Sequence, residues 1–165
     1  MGIINTLAIV GFFICLFVMY GTNHGIPGIR KYDPDFRLLD MRFRYNSESV
    51  YNTFDKIGLE GIKAYKKYLI FDFIFIACFL IVMIAVTLWI TDNIFIIYPL
   101  IGFASLRAVF DIFENTFIII LINNYPEQNT FLADICSWTT TLKFMSLYLW
   151  LAGITLVMAI KILNI

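Results

Sequence analysis

Four long apolar runs constrain this chain more than any other feature of its sequence. They cover residues 3–20, 69–90, 94–122 and 130–160, and charged residues are rare within them. About 20 consecutive apolar residues let a helix cross the hydrocarbon layer of a membrane. Of the 165 residues, 61% are hydrophobic and only 15% are charged, an excess that a soluble core of this size cannot bury. The sequence therefore predicts an all-α integral membrane protein, a single domain with four transmembrane helices in an antiparallel bundle.

The one long connection between these runs, residues 29–67, carries nine of the twelve Lys and Arg residues. Within this connecting segment, Ser47 is the predicted N-cap of a short helix from Glu48 to Lys56, and Gly58 is its predicted stop. Apolar and charged residues alternate around it, which indicates an amphipathic surface segment in the headgroup layer, in contact with anionic lipid. The positive-inside rule predicts that the segment is cytoplasmic and that both termini are outside.

A group of polar residues interrupts the third apolar run. Arg107, Asp111 and Glu114 are spaced by four and three residues, so they share one face of a helix, which Asn115 widens. We call these four residues the polar stripe. A charge in hydrocarbon costs between about 3 and more than 10 kcal/mol, depending on the scale. Three such residues close together must therefore form ion pairs, contact water or have a functional role.

Three further ionisable residues lie in the neighbouring runs. A rise of about 1.5 Å per residue, counted from the cytoplasmic turns, puts Asp72 and Asp134 roughly 6–8 Å deep and Lys143 roughly 21 Å deep. Lys143 is then level with Asp111 and Arg107, at roughly 18 and 24 Å by the same rise. The set holds four acids and two bases, so some carboxyl groups are protonated or face water or a polar ligand. Asp134 and Lys143 are separated by about 180° around a straight helix, so they face one groove only if the helix twists or the long Lys143 side chain reaches sideways.

Intramembrane ionisable residues are by default a functional site, with Asp111 and Glu114 as the candidate catalytic residues that bind a cation or donate a proton. Two other interpretations stay open. The residues form a salt-bridge network that fixes the register of the helices, or they contact a helix of another subunit. The predicted ligand-binding residues are Asp72, Arg107, Asp111, Glu114, Asn115, Asp134 and Lys143.

Several chemistries find no support in the sequence. Cys15, Cys78 and Cys136 are far apart and form no C-x-x-C pair, and His24 is the only histidine. We therefore predict no metal site, haem or other cofactor. The chain also lacks a P-loop, a G-x-G-x-x-G and a G-x-S-x-G motif. A nucleic-acid partner is not expected, since the basic residues alternate with acids and are tethered at the bilayer.

Two resemblances add to this interpretation. The block of residues 39–45, residues 110–115 and the pair Tyr125-Pro126 resemble a set of small bacterial four-helix membrane proteins of uncharacterised function, over most of the chain. This resemblance implies a bacterial inner membrane as the location. The layout is more distantly similar to the emopamil-binding-protein and sigma-2-receptor family. That resemblance implies a pocket for sterol-like or cationic amphiphiles, lined by buried carboxylates. The histidine of its isomerases has no counterpart within the apolar runs.

In that layout Asp72, Asp111 and Glu114 would occupy the pocket.

The sequence thus leaves three hypotheses. A protein that binds or processes a lipid or other amphiphile predicts a pocket lined by the ionisable residues. A non-catalytic subunit or assembly factor, bound to a membrane-protein partner, predicts a polar stripe exposed to lipid. An oligomeric transporter or channel, built as a homo-oligomer, predicts that the stripe faces a symmetry axis.

Overall fold

The computed structural model describes residues 2–163, which fold into helices and contain no β-strand. The elements are α1 (Ile3–Gly21), α2 (Ile26–Ile29), α3 (Ser47–Ile90), α4 (Ile94–Asn124) and α5 (Thr130–Leu163), with a 3-10 turn at Leu39–Met41. The long helices α1, α3, α4 and α5 are each long and apolar enough to cross a membrane. The predictions of an all-helical fold and of four apolar helices long enough to cross a membrane are confirmed.

α1 ends in a tight turn. The Thr22 hydroxyl donates a hydrogen bond to the Val18 carbonyl at 2.8 Å, and the backbone becomes extended at Thr22. The short α2 follows, and its Gly28 lies so close to Asn23 that a Cβ atom there would be 1.9 Å from the Asn23 carbonyl oxygen. A larger residue at this position therefore requires the turn to move.

α3 contains a bend. Its N-cap is Asn46, whose side chain accepts a hydrogen bond from the Ser49 amide at 3.0 Å, so the predicted N-cap at Ser47 is one residue too late. At Gly58 the backbone has φ of +62°, a left-handed conformation that glycine adopts without a steric cost. The predicted stop at Gly58 is thus a break between two helical parts, and the second part continues to Ile90.

The connecting segment is more deeply buried than a surface cap. Phe36, Leu38 and Leu39 are all buried, and the Tyr65 hydroxyl accepts a hydrogen bond from the Leu39 amide at 3.3 Å. Aromatic packing explains the difference, because the Phe36 ring lies edge-on against Tyr65 with 5.4 Å between the ring centroids. The alternation of charged and apolar residues predicted that one face of the connecting segment is exposed. It did not indicate how far the apolar face enters the bundle.

Two apolar cores stabilise the bundle. The first joins the connecting segment to α3, α4 and α5, with Phe54, Tyr65 and Ile118 fully buried. The second lies further along the long helices, around Met83 and Trp150. In the second core the Trp150 indole donates a hydrogen bond to the Thr87 hydroxyl at 3.0 Å. Between the two cores, α3, α4 and α5 carry their buried ionisable residues, Asp72, Arg107, Asp111, Glu114 and Lys143.

The turn between α1 and α2 offers a test of this packing. We expect Gly28→Ala to lower the free energy of unfolding by about 1–3 kcal/mol, because the added methyl overlaps the Asn23 carbonyl. Gly102→Ala is the matched control, since nothing lies within 4 Å of a Cβ there, and an alanine inside a helix gains roughly 0.5–1 kcal/mol. Thermal unfolding in detergent measures both. Equal melting temperatures for the two variants would contradict the tight turn.

Candidate functional site

The Asp111 carboxylate lies between two cations. Arg107 Nη2 is 2.5 Å from Asp111 Oδ2, and Lys143 Nζ is 3.1 Å from Asp111 Oδ1. Arg107 is one helical turn from Asp111 on α4, as the spacing of the polar stripe predicted, whereas Lys143 comes from α5. The prediction that Lys143 is level with Asp111 is confirmed. All three side chains are buried, so these ion pairs are only weakly screened by solvent.

Glu114 continues the network on the same face of α4. Its Oε2 is 2.6 Å from Lys143 Nζ, an ion pair in which the atoms are not aligned as a hydrogen bond. The Thr140 hydroxyl donates to Oε1 of the same carboxylate. This bond joins α5 to α4, whereas the neighbouring hydroxyls of Thr139 and Thr141 donate to carbonyl groups of their own helix.

Helix α3 contributes Asp72 to the site. The Asn115 side-chain amide donates a hydrogen bond to Asp72 Oδ2 at 2.6 Å, which connects α4 to α3. Both residues are buried. Asn115 thus gives Asp72 a neutral partner, while the two cations of the site are engaged by Asp111 and Glu114.

Asp40 is a site residue that the sequence analysis missed. Its carbonyl oxygen accepts a hydrogen bond from Lys143 Nζ at 2.9 Å, so the connecting segment reaches the centre of the polar network. The side chain is only 3% exposed, and its Oδ1 has no hydrogen-bond partner. Burial raises the pKa of this carboxyl group above its ordinary value, and the nearby Lys143 opposes the rise. In the sequence, the feature that could have pointed to Asp40 is its position as an acid among the apolar residues Leu38, Leu39 and Met41.

Asp134 does not belong to this group. It is exposed near the start of α5, whereas the predicted partners are buried. The nine residues between Asp134 and Lys143 correspond to about 180° of rotation, so the two side chains leave opposite faces of the helix. We therefore define the polar cluster without it. Its members are Asp40, Asp72, Arg107, Asp111, Glu114, Asn115 and Lys143.

A cavity of about 180 Å³ adjoins the polar cluster. α1 packs mainly on α3, and α5 mainly on α4, so the cavity lies where α1 and α5 face each other. Tyr20 and Met41 line it and are each 54% exposed, so the cavity opens to the outside beside them. Its lining combines five ionisable residues, Asp40, Asp72, Arg107, Asp111 and Lys143, with apolar and aromatic residues that include Leu16, Met19, Phe75, Phe79, Phe144 and Leu147.

Arg107 uses only part of its hydrogen-bonding capacity. The side chain is 6% exposed, yet Nε and Nη1 have no hydrogen-bond partner among the described residues. The guanidinium carbon is 4.5 Å from the centroid of the Phe79 ring and 5.8 Å from that of Phe75. These aromatic faces hold the cation in place. Two buried donors without a partner are an exception to the rule that buried polar groups are hydrogen-bonded.

Below the polar cluster, Tyr45 joins the connecting segment to α5. Its hydroxyl donates a hydrogen bond to Cys136 Sγ at 3.1 Å, and Cys136 lies 3.7 Å from the Glu114 carbonyl oxygen. Burial raises the pKa of Tyr45 above its ordinary value, so the phenol stays a neutral donor. Cys136 thus packs as a buried thiol.

No family model, no curated protein and no solved structure matches this chain. Within residues 2–163, no three His, Cys, Asp or Glu side chains are grouped so as to hold a metal ion. The arguments that follow therefore rest on the geometry of the polar cluster and its cavity.

The ion pairs of Asp111 predict a large effect on stability. Asp111→Asn leaves Arg107 and Lys143 with a neutral partner, and breaking a buried pair in this way costs about 3–5 kcal/mol. The matched control is Asp134→Asn, an exposed change of the same chemistry that we expect to alter stability by less than about 0.5 kcal/mol. Thermal unfolding of delipidated protein in detergent measures both. Unchanged stability of Asp111→Asn would show that the pairs contribute nothing net.

Proposed function

We propose that this protein binds a lipid or other hydrophobic amphiphile in the cavity between α1 and α5. The observation that supports it best is the composition of the cavity wall. The lining combines apolar and aromatic side chains with five ionisable residues, which include the incompletely paired Arg107 and Asp40. A lining of both kinds suits a molecule with a hydrocarbon chain and a polar head.

Burial of the polar stripe favours a pocket over the two other hypotheses. A stripe that contacts another subunit, or lines a path on a symmetry axis, is expected to be exposed in the isolated chain. Here the side chains of Arg107, Asp111 and Glu114 are 7%, 2% and 0% exposed. The same chain supplies their partners, so no second subunit is needed to neutralise them.

The lengths of the helices place the cavity close to the headgroup layer. α1 has 19 residues, about 28 Å, which just crosses a hydrocarbon layer of about 30 Å. Its last turn reaches the cavity through Tyr20, which lines it together with Asp72. α4 and α5 extend beyond this level, and there the connecting segment covers them, with Tyr125 donating to Asp55 at 2.6 Å.

This placement revises the depths counted from the turns. Tyr125 donates a hydrogen bond to Asp55, and the Asn129 amide donates one to Tyr51, so the turn at residues 125–129 lies beside the connecting segment. We therefore infer that this turn is not the point at which the helices enter hydrocarbon. We infer that the polar cluster lies near the boundary of the hydrocarbon layer, where a lipid headgroup is found. We further propose that the four long helices are antiparallel spans and that the connecting segment is cytoplasmic, with nine of the twelve Lys and Arg residues in it.

The candidate catalytic residues have different roles in this proposal. Glu114 is fully buried and is not part of the cavity wall, so it positions Lys143 and does not touch the ligand. Asp111 lines the cavity but is engaged by both cations. Arg107 and Asp40 are the groups with free hydrogen-bonding atoms. We therefore propose binding as the function, in keeping with the layout shared with amphiphile-binding membrane proteins.

A space-filling substitution tests the proposed cavity. Leu147 lines the cavity on α5, and Leu149, two residues along, is 50% exposed and does not. We expect Leu147→Trp to abolish co-purification of bound lipid, because the indole occupies the space that the chain would take. Leu149→Trp should retain it. Native mass spectrometry after mild detergent purification detects the bound lipid, and the melting temperature of each variant shows that it is folded.

Equal lipid retention in the two folded variants would contradict binding in this cavity. Absence of retained lipid from the wild type, with no stabilisation by any added amphiphile, would contradict the proposed function as a whole.

A further inference from the structure

We propose that a basic groove at the end of α1 binds the headgroup of an anionic phospholipid. The groove lies where the turn after α1 and the loop after α2 meet α3, and its lining includes Asn23, Lys31, Tyr32, Glu60, Lys63 and Lys67. None of the described residues that line it also lines the cavity between α1 and α5. The inference thus assigns a second site and goes beyond the proposed function.

The connecting segment supplies nine Lys and Arg residues, and more than half of them have a partner within the protein. Five form a hydrogen bond, an ion pair or a cation–π contact: Arg30, Arg42, Arg44, Lys63 and Lys66. The side chains of the other four have no such partner among the described residues: Lys31, Arg37, Lys56 and Lys67. Two of these four, Lys31 and Lys67, line the basic groove. The contact with anionic lipid that the sequence predicts for the whole segment is therefore expected at one place in particular.

The charge of the basic groove favours an anion. Three lysines and one glutamate line it, so its lining carries an excess of positive charge at neutral pH. Lys63 Nζ is 2.5 Å from Glu60 Oε1, and these two charges neutralise each other. Lys31 and Lys67 are exposed, so their ammonium groups can contact a phosphate without the cost of burying a charge.

The groove is formed by elements that are packed together. Gly61 of α3 lets the loop after α2 approach closely, because a Cβ atom there would be 3.3 Å from Tyr32 Cβ. Tyr32 and Asn23 line the groove beside the lysines, and a hydroxyl and a side-chain amide are further donors for phosphate oxygens. Lys31 follows α2 and Lys67 belongs to α3, so the two unpaired cations come from different elements that meet at this groove.

The basic groove lies at the level of lipid headgroups. α1 ends at Gly21, and Asn23 follows where the chain leaves the hydrocarbon layer. On α3, Lys67 is five residues from Asp72, a rise of about 7 Å. Asp72 belongs to the polar cluster, which we place near the boundary of the hydrocarbon layer. The headgroup layer extends roughly 5–8 Å beyond that boundary on each side, so Lys67 lies within it.

A lipid is favoured over a soluble anion because apolar side chains are close to the groove. Phe17 of α1 is 68% exposed and is less than two helical turns from Asn23. Acyl chains can cover such side chains while the phosphate contacts the lysines. A soluble anion gains only ion pairs, which are worth little at an exposed site. An anionic headgroup is favoured over a zwitterionic one, since choline would add a cation beside two unpaired lysines.

The first experiment compares headgroups on the wild-type protein. Dioleoyl phosphatidylglycerol, dioleoyl phosphatidylcholine and inorganic phosphate are each added to delipidated protein in a nonionic detergent at neutral pH. Binding stabilises the folded state according to affinity and concentration, so melting curves give the affinities. A lysine near an anionic surface contributes about fivefold to affinity. We therefore expect phosphatidylglycerol to bind about fivefold to thirtyfold more tightly than phosphatidylcholine, and inorganic phosphate to give no shift.

A pair of double variants tests the groove itself. We expect Lys31→Gln/Lys67→Gln to bind phosphatidylglycerol about thirtyfold more weakly and phosphatidylcholine as the wild type does. The matched control is Arg37→Gln/Lys56→Gln, which removes two unpaired cations of the same segment outside the groove and should change the affinity less than about twofold. All four side chains are exposed, so both variants should fold, which their melting temperatures without lipid verify.

Glu60→Gln tests the same site by a gain of affinity. The change removes the only acid of the described lining and releases Lys63 from its ion pair, so we expect phosphatidylglycerol to bind about fivefold more tightly. Glu48→Gln is the control, because it removes an exposed acid of α3 outside the groove. Equal gains in the two variants would overturn the groove as the site.

The other outcomes that would overturn the inference are distinct. Equal losses in the two double variants would show a diffuse attraction to the whole segment. Equal binding of the two lipids would show that the anion is not recognised, and stabilisation by inorganic phosphate equal to that by phosphatidylglycerol would make the ligand a soluble anion. Loss of phosphatidylglycerol binding in Leu147→Trp would place the lipid in the cavity between α1 and α5, whereas retention in that variant supports a separate site.

Discussion

The Asp111 carboxylate, held between Arg107 and Lys143, is the interaction on which the rest of the structure depends. It joins α4 to α5 at the level where the two apolar cores end. A lone charge there would cost several kcal/mol, so each member of the network makes the presence of the others possible. Because ion pairs are directional, the network also fixes the register of the two helices more sharply than apolar packing alone.

The same network explains why the connecting segment is folded into the bundle. Lys143 already pairs with two carboxylates and donates a further bond to the Asp40 carbonyl, which draws the 3-10 turn at Leu39–Met41 inward. Buried aromatic residues then cover the ends of α4 and α5, and Tyr51 accepts a hydrogen bond from the Asn129 amide. A segment rich in Lys and Arg thus acquires an apolar inner face and a charged outer one.

For the proposed function, the important property of the network is that it is incomplete. Arg107 and Lys143 are paired with Asp111 and Glu114, but Arg107 Nε and Nη1 and Asp40 Oδ1 have no hydrogen-bond partner among the described residues. Buried polar groups are normally hydrogen-bonded, so a purely structural salt-bridge network does not account for these atoms. Both residues also line the cavity that we propose as the binding site.

Much of the fold was determined by the sequence alone. Apolar runs longer than about 20 residues admit few alternatives to membrane helices, so the bounds of α1, α4 and α5 were predicted to within three residues. Helical spacing placed Arg107, Asp111 and Glu114 on one face, and a count of residues put Lys143 opposite them. These features follow from local geometry, which a short stretch of sequence specifies completely.

The composition of the site was decided only by the tertiary structure. Asp40 lies in an irregular connection, where no periodicity relates it to Lys143, which is 103 residues away. Asp134 looked equivalent to Asp72 by depth, yet the rotation of α5 directs it outward. The cavity between α1 and α5 depends on how far two helices that are distant in sequence stand apart. Such contacts depend on packing across the whole bundle, and the sequence pattern of any single helix does not encode them.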